Sequence, residues 1–197
     1  MTLTRLGWGI LLLILGGGAL FASMVRIGPA GPQHRAAPEE PVDGGALPID
    51  PAVPGALVMP VAGVKRDALA SGWGDARDGG VRQHRGLDIM APGGTPALAA
   101  VDGRIERLWT SAAGGNTVYL RSADRAWTYY YAHLAGYAPS LREGQAVRAG
   151  QRIGFVGDTG NAGTGNTHLH FGVTRMRPQE RWWQGEPVDP YPLLNGR

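Results

Sequence analysis

Trp127-Thr-Tyr-Tyr-Tyr-Ala-His-Leu134 is rich in aromatic residues and contains no glycine, proline or acid. Such side chains fit a pleated, half-buried surface, so the stretch is expected to be a β-strand. Segments on both sides repeat the pattern. Pro96–Val101, Gly103–Trp109, Asn116–Arg121, Arg152–Val156 and His168–Val173 are short, apolar or β-branched, and bounded by Gly, Asn or Asp. The chain holds 32 glycines and 15 prolines, which favour many strands joined by tight turns, and no segment offers a long amphipathic helix. From about Leu57 onward the expected fold is therefore all-β, an antiparallel sandwich or open barrel with loops at one rim carrying the chemistry.

His133, at the end of that aromatic strand, is one of only five histidines in the chain. Two more flank Leu169 in Thr-His-Leu-His-Phe, and side chains alternate along a strand, so His168 and His170 project from one face. By the same alternation Tyr129, Tyr131 and His133 are expected to share a face. His84 and Asp88 are four residues apart. Gly86 between them and Ala91-Pro-Gly-Gly94 after them argue for an irregular, strand-like segment rather than a helix. Two neutral imidazoles and a carboxylate can hold a divalent zinc ion with a position open to water, and the other histidines could then move protons. Each piece alone is weak, since H-x-x-x-D is commonly accidental and H-x-H can be a satisfied core pair. Together, in a chain short of histidine, they point to a hydrolytic metal centre. Spacing does not decide which of His168 and His170 is the ligand.

Composition bounds the alternatives. A length of 197 residues suits one domain with an appendage, and 43% apolar residues suffice for a core. The absence of cysteine excludes disulfides and thiolate metal sites. The net charge of +3 is carried almost wholly by arginine, which suits an anionic polymer such as a cell wall, but there is no basic run of the nucleic-acid kind. A monomer without nucleic-acid partners is expected.

Residues 1–27 form a separate object. Gly7–Val25 carries no charge, and as a helix would span roughly 28 Å. This predicts an uncleaved membrane anchor, the competing reading being a signal peptide cut after Ala22, where Leu20 is not the small residue such a site favours. Arg5 on one side and Arg26 with Arg35 on the other leave the orientation undecided. Residues 28–56, rich in Pro, Ala and Gly, are expected to be a disordered linker containing a solvated His34, and 57–197 the folded domain. Within that domain, the glycines around Trp73 suggest a loop at the mouth of a groove. Asn161 and Asn166 suit either turns or substrate binding, Trp182-Trp183 a packing plug, and Val188–Leu193 a closing tail.

Several motifs occur in the order found in one known family. His84-Arg-Gly-Leu-Asp-Ile-Met-Ala-Pro-Gly-Gly-Thr-Pro96, Ala99-Ala-Val-Asp-Gly103, Tyr131-Ala-His-Leu134, Gly150-Gln-Arg-Ile-Gly154, Gly157-Asp-Thr-Gly160 and His168-Leu-His-Phe171 resemble the lysostaphin and LytM-type zinc metallopeptidases of peptidoglycan. The resemblance covers about Met59 to Leu194 and implies a β-sheet fold of the duplicated hybrid motif type. It implies zinc on His84, Asp88 and His170, with His168 as general base and His133 stabilising the oxyanion or protonating the leaving amine. It also implies peptide cross-links of peptidoglycan as substrate, hydrolysed outside the cytoplasm, on the periplasmic side for an anchored chain or, after signal cleavage, as a secreted or periplasmic protein. Relatives cut both glycine-rich bridges and direct D-Ala to diaminopimelate links, and the short anchored architecture resembles Gram-negative members that cut the latter. Some domains of this family have lost their metal ligands and act as wall-binding modules or amidase regulators, whereas here every ligand is present. A lysine-borne cofactor carrier is the third class, and the sole lysine, Lys65, precedes the first motif.

Overall fold

The computed structural model describes residues 57–196, so the anchor, the linker and His34 lie outside the described residues. No helix among the described residues is long and apolar enough to cross a membrane. Eleven strands follow in order: β1 (Ala76–Arg77), β2 (Arg82–Gln83), β3 (Leu87–Met90), β4 (Pro96–Leu98), β5 (Gly103–Ser111), β6 (Gly115–Ser122), β7 (Trp127–Tyr137), β8 (Ala146–Val147), β9 (Arg152–Val156), β10 (His168–Arg175) and β11 (Glu186–Val188). A single α-helix, α1 (Pro190–Asn195), ends the described chain. The antiparallel all-β architecture is the one expected.

β1 and β2 form a small hairpin, and the other nine strands form one sheet with the order β11-β10-β7-β6-β5-β8, to which β3, β4 and β9 attach. Two central strands place the site. β10 is flanked by β7 on one edge and by β3 and then β11 on the other, so Asp88 and Ala132 both pair with His170. β7 pairs with β6, with β10 along Trp127–Ala132, and with β9 beyond Leu134. Leu87, Ile89, Val118, Leu120, Tyr129, Tyr131, Leu134, Leu169 and Phe171 are buried in one core, and their removal from water supplies the main driving force for assembling these strands. The Tyr131 hydroxyl, buried with them, accepts from the Ala100 amide at 2.8 Å, which removes the cost of burying it unpaired.

The face expected for His133 is corrected by the structure. Tyr129 and Tyr131 point into the core, where both pack on the Phe171 ring. His133 points away, into the groove. Asn116 faces Leu134 while Val118 faces Tyr131, so β7 has one residue more than β6 in this interval, and His133 takes a φ of 61°. A β-bulge thus interrupts the alternation and turns His133 toward the side occupied by Tyr130 and Ala132. The expected closing tail is α1: Asp189 accepts from the Tyr191 amide at 2.9 Å, Pro190 starts the helix, and Leu194 is buried.

Candidate metal centre

His170 stands in mid-sheet on β10, directly opposite Asp88 of β3. His84 lies just before β3, its ring pinned by a hydrogen bond from Nδ1 to the Gly72 carbonyl at 2.8 Å. A carbonyl only accepts, so Nδ1 carries a proton and, in the neutral ring, His84 Nε2 presents a lone pair. That nitrogen is 3.0 Å from Asp88 Oδ1 and 3.1 Å from His170 Nδ1, and the last two atoms are 2.9 Å apart. Two of the three atoms are acceptors, and at most one proton on His170 could lie among them. Converging lone pairs at such distances repel unless a cation lies among them, so the donor set fits a divalent metal held by two imidazoles and a carboxylate.

The neighbourhood is built for this convergence. A Cβ on Gly86 would lie 2.6 Å from His170 Cε1 and Nε2 and 2.9 Å from the Phe171 carbonyl, so only glycine lets the backbone pass the ring. Asp88 Oδ2 accepts from Arg77 Nη2 of the β1–β2 hairpin at 2.7 Å, leaving Oδ1 for the cluster. Burial by itself would raise the Asp88 carboxyl, but its hydrogen bonds with His170 and His84 overcome this and hold it well below the usual carboxylate range. A proton taken up at His84 Nε2 would be donated to Asp88, and that hydrogen bond raises the pKa of His84 against the opposing effect of burial. Burial lowers His170, only partly offset by Asp88.

His133 and His168 stand beside this triangle with ring centroids 4.9 Å apart. Each is tied through Nδ1 to a carbonyl, His133 to Thr159 and His168 to Asn166, both at 2.8 Å. Both neutral rings therefore hold their proton on Nδ1 and keep Nε2 for the site; in His168 it lies 3.9 Å from Asp88 Oδ1. Burial lowers the pKa of His133 below its ordinary value, with the Thr159 bond opposing.

The bulge that aims His133 is braced on both sides. Its amide donates to the Gly114 carbonyl at 2.8 Å, while Thr159 Oγ1 donates to the Leu134 carbonyl at 2.8 Å and accepts from the Asn116 amide at 3.0 Å. Gly115, with φ 62°, meets the Thr159–Gly160 backbone so closely that a Cβ would overlap it. Sequence reasoning noted Gly157-Asp-Thr-Gly160 only as a motif and missed the bracing role of Thr159. A half-buried threonine hydroxyl between two backbone groups leaves no periodic signal.

All five expected residues, His84, Asp88, His133, His168 and His170, line one groove of about 690 Å³. Tyr130 also lines it, its ring edge on to His170 at 5.9 Å. Asn161 and Asn166 stand on its rim, and the Trp73 loop reaches the site through Gly72. Trp182 packs against Tyr119 and Trp109, as a plug should, whereas Trp183 is largely exposed.

Residues 82–190 match the family described as Peptidase family M23. The L-Ala–D-Glu endopeptidase of Bacillus subtilis (strain 168) is 38% identical over 130 residues, 63% of this chain and 38% of that protein. The DD-carboxypeptidase/endopeptidase Mpg of Neisseria meningitidis serogroup B (strain ATCC BAA-335 / MC58) is 42% identical over 109 residues, 55% of this chain and 22% of that protein. The chain thus spans well under half the length of these curated relatives. Among solved structures, the catalytic domain of lysostaphin from Staphylococcus simulans aligns with a TM-score of 0.53 at 31% identity, covering 64% of this chain and 90% of that one.

Proposed function

The chain belongs to peptidase family M23, and on that premise we propose that it is a zinc-dependent endopeptidase hydrolysing peptide cross-links of bacterial peptidoglycan. The observation that carries this reading is the convergence of His84 Nε2, Asp88 Oδ1 and His170 Nδ1 within 3.1 Å of one another, beside two further histidines that keep Nε2 toward the site. Zinc there would polarise a substrate carbonyl and bring the pKa of water toward neutrality. The rest of the chemistry falls to the chain. His84, Asp88 and His170 would hold the ion, and the charge of Asp88 would offset part of the metal's. His168, its Nδ1 proton fixed on the Asn166 carbonyl, has Nε2 available to take the proton of the attacking water. His133, held in the same way by Thr159, can carry a proton to the leaving amine or, once protonated, hydrogen-bond the developing oxyanion.

The uncharged run Gly7–Val25 then serves as a membrane anchor with the domain outside the cytoplasm, where the wall lies. A linker of residues 28–56, at most about 3.1 Å per residue, gives a reach of roughly 90 Å. Fractionation that found a soluble mature form starting near Ser23 would replace the tether with a cleaved signal peptide. Zinc analysis of the purified full chain, paired with digestion of walls of each cross-link chemistry and mass spectrometry of the products, tests the activity. One zinc per chain and chelator-sensitive release of peptides is the expected result. Stoichiometric zinc without release from any wall would leave a wall-binding module instead.

A further inference from the structure

Asp88 has two carboxylate oxygens, and the structure uses them differently. Oδ1 faces the histidines, 3.0 Å from His84 Nε2, 2.9 Å from His170 Nδ1 and 3.9 Å from His168 Nε2. Oδ2 faces the β1–β2 hairpin, where Arg77 Nη2 donates to it at 2.7 Å. Charge-assisted hydrogen bonds of that length are among the strong ones, and a guanidinium and a metal ion compete for the same lone pairs.

The contact does little for the fold. The Arg77 and Asp88 side chains keep 43% and 23% of their surface exposed, and ion pairs that water reaches contribute little to stability. The hairpin also has its own attachment to the segment before β3. The His84 amide donates to the Asp75 carbonyl at 2.8 Å, the Gly74 amide donates to the His84 carbonyl at 2.9 Å, and His84 Nδ1 donates to the Gly72 carbonyl. Nor does a second cation so close to a metal site tighten its hold on the metal, since like charges repel. What Arg77 does control is the carboxylate. A carboxylate with both oxygens free can turn both to one cation, whereas a catalytic zinc with three protein ligands needs a position left open to water.

We propose that Arg77 is a positioning residue that keeps Asp88 a one-oxygen ligand: by holding Oδ2 it confines the metal to Oδ1 and leaves the open position to the attacking water. This rests on the zinc-hydrolase reading and adds to it a residue from outside the histidine cluster. Its loss acts in two opposite directions. The ion gains an oxygen and loses a neighbouring positive charge, so its binding is not weakened. The water loses its place, so turnover falls. A residue that merely supported the site would weaken both together.

The test uses the full chain with Arg77→Met, which keeps much of the side chain's bulk but cannot donate, and Arg77→Lys, which can. Zinc affinity is measured by competition with a chelator, coordination by zinc-edge X-ray absorption, and activity by peptide release from purified peptidoglycan. Arg77→Met should bind one zinc per chain at least as tightly as the wild type, with the Asp88 carboxyl carbon drawn closer to the metal as both oxygens bind. Its rate should fall by about 10–100-fold, the usual effect of removing a partner that orients a metal ligand. Arg77→Lys should restore the one-oxygen coordination and part of the rate. Unchanged zinc coordination in Arg77→Met overturns the proposal whatever the rate does, and so does a loss of zinc affinity, which would make Arg77 a support of the site instead. A wild-type chain that binds no zinc overturns the metal centre itself. One that shows the change in coordination yet releases no peptide supports the role of Arg77 and overturns the hydrolase.

Discussion

Arg121 and Asp88 are both charged groups drawn toward the interior, and they end in opposite states. Arg121, only 2% exposed, donates from Nε and Nη2 to Glu106 at 2.6 and 3.2 Å and gives its remaining bonds to the carbonyls of Arg125 and Glu180 at 3.2 and 2.9 Å. Every partner is internal and complementary, so the pair closes on itself. Around Asp88 Oδ1, by contrast, the partners are imidazole nitrogens, one of which, in the neutral ring, only accepts. A closed network pins β6 to the segments around it. An open one is completed only by something the chain does not itself supply, and that difference distinguishes scaffold from site more sharply than burial does.

The comparison breaks most visibly at the open network. His170→Ala removes one of the three proposed ligands and should lose both bound zinc and all measurable hydrolysis, read by metal analysis and peptide release. His168→Ala should keep the zinc and lose about 10²–10⁴ in rate, as for a general base. Zinc retained in the first variant and lost in the second would exchange the two roles. At the closed network the effect is on folding. Arg121→Ala leaves Glu106 only the more distant Arg125, 3.8 Å away, and should cost about 3 kcal/mol in denaturant unfolding, the low end for breaking one side of a buried pair, while zinc bound per folded molecule stays the same. Asp189→Ala removes the cap of α1 and should cost about 1 kcal/mol with activity intact.

Much of this was legible before the structure. The strand centres followed from apolar and β-branched runs between turn residues, with β9 matching its expected bounds at Arg152–Val156. The two-residue period placed His168 and His170 together with Leu169 on the opposite side, and Leu169 is fully buried there. The same period failed at His133, because the extra residue in β7 is fixed by its pairing with β6 and by the Thr159 hydroxyl, contacts between segments that no local pattern encodes. Arg77 escaped notice for a similar reason: β1 and β2 are two residues each, too short for any periodicity to show that their hairpin reaches Asp88. The Asp-Pro start of α1 was a readable capping signal that the proline-rich sequence around it obscured.

The bulge at His133 also marks where β7 exchanges one neighbour for another, from β10 before it to β9 after it. If β7 settled one residue out of step, His133 would turn away from the groove and β9 would lose its proper edge, so the error would disable the site and unzip the sheet at one stroke. Competence and correct assembly are therefore tied to a single residue's placement. In a refolding experiment, the fraction of activity regained counts the chains that have found the right alignment.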